Sequence, residues 1–105
     1  MNYEEKAIIK DIILRAFKQG CRVSVYDGEE WVLEGSHDVE EILAVLGTTE
    51  ADCLRLINNI GGNFVGSIDL VYGNAPDEVV CDYSWDSHTV YGESRMKTIV
   101  DGEAE

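Results

Sequence analysis

Basic residues are scarce through most of this chain. Of its 105 residues, 21 are acidic and eight are Lys or Arg, which gives a formal net charge of −13. Between residues 23 and 93 the only base is Arg55, against fifteen acids, whereas the first 22 residues hold five bases and three acids. A body with so negative a field repels nucleic acid and attracts cationic surfaces. We therefore expect no direct nucleic-acid binding and a basic protein surface as partner.

Long apolar runs are also missing. No stretch approaches the ~20 apolar residues of a membrane-spanning helix, so no membrane association is expected. Residues 1–5 lack the basic leader of a secretory signal. Three widely spaced cysteines, Cys21, Cys53 and Cys81, are a poor disulfide framework and indicate reduced thiols. Together these features predict a cytoplasmic protein.

The periodicity of apolar residues predicts both helices and strands. Helical spacing indicates a long helix over residues 3–19, a short one after Ser36 or Asp38, and a closing one over residues 93–100. Alternation with a period of two predicts strands at residues 21–26, 30–34, 53–57, 63–72 and 78–84.

This order of elements predicts an α+β fold: an antiparallel sheet of about five strands, with the N-terminal helix and one or two shorter helices packed on one face. Residues 1–100 are expected to form a single domain, and residues 101–105 a frayed acidic tail. The pattern leaves the order of the strands open. Gly92 is expected to interrupt the closing helix.

Strand alternation also divides the side chains between the two faces. Trp31, Phe64 and Gly66 are expected to point inward, as are Tyr72 and Tyr83. Tyr26 and Trp85 are left as exposed aromatic candidates. The solvent-facing side of the sheet is then expected to be acidic, relieved only by Arg22 and Arg55. The candidate partner-binding residues are Tyr26, Glu30, Glu34, Asp69, Glu78 and Asp82. Like charges facing each other across strands are destabilising, so this face is expected to depend on salt or a cationic partner.

Four short stretches carry a family resemblance: YDGEEW at residues 26–31, LGTTE at 46–50, LVYGN at 70–74 and DYS at 82–84. They resemble small acidic, uncharacterised proteins of tailed phages and proteobacterial prophages. The resemblance implies a phage accessory protein that binds a host protein in the host cytoplasm. It implies no catalytic or binding residue.

Catalytic and metal-binding motifs are not evident. The segment from Cys81 to His88 contains triad residue types, but on a strand Cys81 and Asp82 point to opposite faces. His37, His88 and the cysteines lack the short spacing of zinc ligands. The glycines at residues 61–66 lack the Lys and Ser or Thr of a phosphate loop. We therefore expect no enzyme activity, no metal and no cofactor.

The leading interpretation is a non-enzymatic phage-type accessory protein. It binds a basic surface of a nucleic-acid-handling protein, and its carboxylates imitate phosphates on the acidic sheet face. The alternative is a structural or assembly module, with a possible homodimer through an exposed strand edge, whose acidity serves solubility.

Overall fold

The helices and strands follow the predicted order. The structure, a computed structural model, describes residues 1–86 and 92–102. The elements are α1 (Tyr3–Lys18), β1 (Cys21–Tyr26), β2 (Trp31–Ser36), α2 (Val39–Val45), β3 (Ala51–Asn58), β4 (Phe64–Val71), a 3-10 turn (Pro76–Glu78), β5 (Val80–Trp85) and α3 (Gly92–Asp101).

Side-chain caps start the first two helices. The Asn2 side chain accepts the Glu5 N–H at 2.8 Å, while the Glu5 carboxylate accepts the Asn2 N–H at 2.9 Å. This reciprocal pair is a capping box. Asp38, one of the two predicted caps of α2, accepts the N–H groups of Glu40 and Glu41.

The five strands form one antiparallel sheet in the order β2-β1-β3-β4-β5, which the sequence left open. The chain passes from β2 through α2 to β3, so β1 lies between two strands that are joined by a helix. In the described part of the chain, the three helices lie on the same side and bury the apolar sheet residues beneath them, including Val23, Leu54 and Ile68. The predicted α+β fold is confirmed.

Two arginines join α1 to α3. Arg15 of α1 donates to the carbonyls of Ile99 and Val100 at 2.7 and 3.2 Å, near the end of α3. Arg95 of α3 donates to the carbonyl of Gln19 at 2.6 Å, just past the end of α1. Each guanidinium thus satisfies carbonyls that a helix C-terminus leaves unpaired.

Gly66 allows α3 to approach the sheet. A Cβ added at this position would lie 2.5 Å from the Ser84 carbonyl oxygen and 2.6 Å from the Met96 sulfur. The Ser84 oxygen belongs to the backbone of the neighbouring strand and has little freedom to move. The inward orientation predicted for Gly66 is confirmed, and only glycine fits there.

A buried polar cluster fastens the start of α1 to the sheet. Glu5 is 1% exposed and accepts the Gly73 N–H at 2.9 Å. Nearby, the Asp52 carboxylate accepts the Tyr72 hydroxyl at 2.6 Å and the Gly47 N–H at 3.0 Å. Burial and the charges of Asp52 and Glu5 raise the pKa of Tyr72, so its hydroxyl stays protonated and donates.

Two inward assignments were wrong because of β-bulges. The register of β2 against β1 shifts at Val32, so Trp31 points away from the helices and is 41% exposed. The register of β4 against β3 shifts at Val65, which is buried, and Phe64 lies on the outer side opposite Ile57. Each bulge adds one residue, and a shift of one residue exchanges the faces.

Most strand boundaries differ from the sequence prediction by one or two residues, and the regions of Pro76 and Gly92 differ for a local reason. Pro76 begins a 3-10 turn that includes Glu78, so β5 begins at Val80. Gly92 does not interrupt α3, because the helix begins there and continues to Asp101. Of the expected frayed tail, residues 103–105 lie outside the described residues.

Candidate functional site

The side of the sheet turned away from the helices is here named the open face, and none of the described helices packs on it. Strand register assigns to it Arg22, Ser24, Tyr26, Trp31, Cys53, Arg55, Ile57, Phe64, Ser67, Asp69, Val71, Asp82 and Ser84. In an antiparallel sheet with one solvated face, the outward positions are usually polar. Here about half of them are aromatic, aliphatic or thiol side chains, which makes this face the strongest candidate for a binding surface.

Two acidic residues lie directly opposite each other on the open face. Asp69 of β4 is the direct antiparallel partner of Asp82 of β5, and both residues are exposed. The two side-chain ion pairs found in residues 1–86 and 92–102, Lys10 with Glu40 and Lys97 with Glu93, belong to the helices and leave this acidic pair without a lysine or arginine. Like charges in such a position destabilise a sheet, so the pair is poised to accept a cation.

Cys53 lies beside Asp69 in the same row across the strands. Burial raises the pKa of its thiol to about 11, and the negative charge of Asp69 together with a hydrogen bond to that carboxylate adds to the effect. The thiol is therefore neutral near pH 7. A neutral, partly buried thiol is a poor nucleophile, so the environment of Cys53 gives no support to a catalytic role.

A shallow depression of about 430 Å³ adjoins the acidic pair. Its walls include Tyr26, Gly28, Cys53, Asp69 and Val71. Most of this lining is apolar, and the Asp69 carboxylate lies at its side. Such a shape suits a side chain that has an apolar stem and a polar or cationic end.

An arginine and two aromatic rings occupy the neighbouring part of the open face. The Arg55 guanidinium carbon lies 5.3 Å from the centre of the Trp31 ring and 5.0 Å from that of Phe64. These are cation–π distances. Tyr26 packs against Trp31 with ring centres 5.2 Å apart. The stacking turns Arg55 toward the rings, and no ion pair with Asp69 is found in the described part of the chain.

Arg22 is the second base on the open face. It is half-buried, and its Nε has no hydrogen-bond partner within the described ranges. Arg22 and Arg55 lie on β1 and β3, whereas Asp69 and Asp82 lie on β4 and β5. The open face thus carries the two arginines expected on it from the sequence, and it is divided into a basic part and an acidic part.

The structure brings together three of the six candidate binding residues. Tyr26, Asp69 and Asp82 share the open face. Glu30 lies in the turn between β1 and β2, where the Asp27 carboxylate accepts its N–H at 2.9 Å, and so stands at the rim. Glu34 occupies a second irregular part of β2, and Glu78 lies in the 3-10 turn before β5. The carboxylates therefore do not form one five-membered array.

Sequence reasoning missed Trp31 and Phe64 as members of the site, and it assigned Arg55 to this face only as a base that relieves the negative charge. The two bulges made the orientation of the aromatic residues unpredictable, because each bulge moves a ring to the face opposite the one that simple alternation indicates. The sequence did contain a signal for the role of Arg55. It is the only base in a long acidic segment, and a lone cation is well placed to organise neighbouring aromatic rings.

The other chemical candidates do not assemble into a site. Residues 1–86 and 92–102 contain no group of three or more His, Cys, Asp or Glu side chains that could hold a metal ion. His37 faces the Asn59 side-chain oxygen at 2.8 Å. His88, part of the considered triad, lies outside the described residues. No described helix has the length and apolar character to cross a membrane.

Comparison with known proteins gives no relative. No family model, no curated protein and no solved structure matches the chain.

Proposed function

We propose that this chain is a non-enzymatic protein that binds a basic surface of a nucleic-acid-handling protein through its open face. The observation that carries the proposal is the acidic pair of Asp69 and Asp82, which lie opposite each other without a neutralising side chain in the described structure. A cation supplied by a partner relieves their repulsion, so binding and stabilisation of the sheet act in the same direction.

Tyr26 supplies the apolar part of the contact. Its ring is half-buried on the same face and lines the depression beside Asp69. Aromatic residues at the centre of an interface contribute a large share of binding energy because they bury much apolar surface away from water at a small entropic cost. A partner lysine or arginine can extend its aliphatic stem along Tyr26 and place its charge near Asp69.

The net charge of −13 supports a nucleic-acid-handling protein as the proposed partner. Grooves that bind nucleic acid are lined with Lys and Arg to contact phosphates, and a paired carboxylate can occupy the position of a phosphate. Glu30 at the rim enlarges the negative surface. In this form the phosphate mimic is one pair of carboxylates with a flanking turn, and Glu34 and Glu78 take no part in it.

Binding of an oligolysine peptide, measured by titration calorimetry at several salt concentrations, tests the proposal. We expect the affinity of the wild-type protein to fall steeply as salt rises. The double variant Asp69→Lys with Asp82→Lys should bind roughly tenfold or more weakly. It replaces one like-charged pair by another, so the sheet is expected to fold equally well.

A matched control separates location from total charge. The double variant Asp11→Lys with Asp101→Lys makes the same change in net charge at exposed positions on α1 and α3, away from the open face. It should retain most of the affinity. Equal losses in the two double variants would show that the peptide responds only to net charge, and the proposed binding face would be wrong.

A further inference from the structure

We propose that, without a partner, the open face pairs with the open face of a second copy of this chain. This inference does not depend on the proposed function, because it concerns the protein alone. It also differs from the strand-edge dimer that the sequence offered as part of the alternative interpretation. The edge strand β2 contains two irregularities of register and β5 contains one, and bulges at an edge disfavour pairing with another strand.

Apolar content is the first reason to expect a second copy. Trp31 is 41% exposed, and Tyr26, Ile57, Phe64 and Val71 are only partly covered on a face above which no helix of the described ranges lies. A contiguous apolar surface on a sheet is typical of an interface. Two sheets that pack face to face bury such residues between them at a separation of about 10 Å.

Charge complementarity is the second reason, and it selects another copy of the same chain. A two-fold symmetric interface brings the same patch of both subunits together, so residue i contacts residue j and residue j contacts residue i. The open face carries Arg55 in its basic part and Asp69 with Asp82 in its acidic part. A two-fold axis that passes between these parts places Arg55 of each copy against the acidic pair of the other.

The area of the open face sets the expected strength of the dimer. Five strands about 4.8 Å apart, each with about six residues, span roughly 24 Å by 20 Å. This is below the ~800 Å² that each partner buries in a standard stable complex. We therefore expect a reversible dimer. A basic partner needs the same face, so the dimer and the partner complex exclude each other.

Sedimentation velocity over about 5 µM to about 500 µM measures the self-association. We expect the average mass of the wild-type protein to rise toward twice that of the monomer. Arg55→Glu alone, and Asp69→Lys with Asp82→Lys alone, should both remain monomeric, because each homodimer would then set like charges against each other. Circular dichroism checks that both variants are folded.

Mixing the two monomeric variants gives the decisive result. Glu introduced at position 55 of one chain then faces the lysines of the other, while the native Arg55 of the second chain faces the native Asp69 and Asp82 of the first. An equimolar mixture should regain the mass of a dimer. The Asp11→Lys with Asp101→Lys control should self-associate as the wild type does. A monomeric wild type, or a dimer that both charge variants leave unchanged, would overturn the inference while leaving the proposed partner binding open to its own test.

Discussion

Asp69 and Asp82 lie directly opposite each other on the neighbouring antiparallel strands β4 and β5. Proteins usually place opposite charges or neutral side chains in such a position. On this open face the nearest base in the strand register is Arg55, whose guanidinium stacks on Trp31 and Phe64 instead. Within the described ranges, the acidic pair therefore forms no ion pair with the arginine of the adjacent strand β3.

Neutralising one member of the acidic pair should stabilise the fold. In Asp82→Asn the side-chain oxygen can still accept the Tyr83 N–H, a bond of 2.8 Å in the native chain, while the like-charge repulsion disappears. We expect the free energy of unfolding to rise by roughly 0.2–1 kcal/mol at low salt and by less at high salt. Urea unfolding measures it. Asp11→Asn is the control, and an equal gain in both variants would contradict the explanation.

Adding a methyl group at Gly66 should destabilise the packing of α3. The added Cβ of Gly66→Ala meets the Ser84 carbonyl and the Met96 sulfur at distances no carbon atom tolerates. Overpacking of this kind costs about 1–3 kcal/mol, and thermal unfolding should show a lower midpoint. Ser67→Ala, next in the strand but on the open face, should cost less. Equal effects would show that the contact with α3 is not tight.

Helices, strands and turns could be predicted from the sequence more reliably than the face of the sheet on which each side chain lies. The long helix, the hairpin turn after Tyr26 and the cap at Asp38 follow from local patterns, and the structure has them. The orientations of Trp31 and Phe64 could not be derived from the sequence. A bulge depends on how two strands pair, and it produces no periodic pattern of apolar residues that would reveal it. The strand order and the contact of Arg15 with Ile99 are likewise tertiary, and nothing in the spacing of either segment indicates them.

Glu5 should make the stability of the fold depend on pH in the acid range. Hydrogen bonds from the N–H groups of Asn2 and Gly73 lower the pKa of its carboxyl group. Because the folded-state pKa lies below the unfolded one, the ionised carboxylate favours the folded state. This stabilisation is complete above the unfolded pKa and is lost as the pH falls through the folded pKa.

The comparison of Glu5→Gln with the wild type measures this effect. At neutral pH the variant should unfold at a lower urea concentration, because its amide NH₂ replaces one of two accepting oxygens. As the pH falls, the two midpoints should converge. Glu4→Gln, an exposed neighbour, serves as the control. A difference between Glu5→Gln and wild type that stays constant from neutral to acid pH would contradict the assignment.

The thiol of Cys53 should report the charge of Asp69. With its pKa raised to about 11, Cys53 should react slowly with iodoacetamide at neutral pH and faster as the pH rises. Asp69→Asn removes a charge that opposes thiolate formation, so the rate at a given pH should increase several-fold. Peptide mass spectrometry follows the labelling of Cys53 separately from the other cysteines. An unchanged rate would mean that Asp69 does not act on the thiol.

The location of cation binding tests the central claim most directly. The oligolysine peptide is added to isotopically labelled protein that is dilute enough to be monomeric. Changes in the amide chemical shifts, recorded by NMR, then show which residues the cation approaches. The account predicts the largest changes at Tyr26, Cys53, Asp69 and Asp82, and their disappearance at high salt. Changes spread over α1 and α2, with none on the open face, would contradict it.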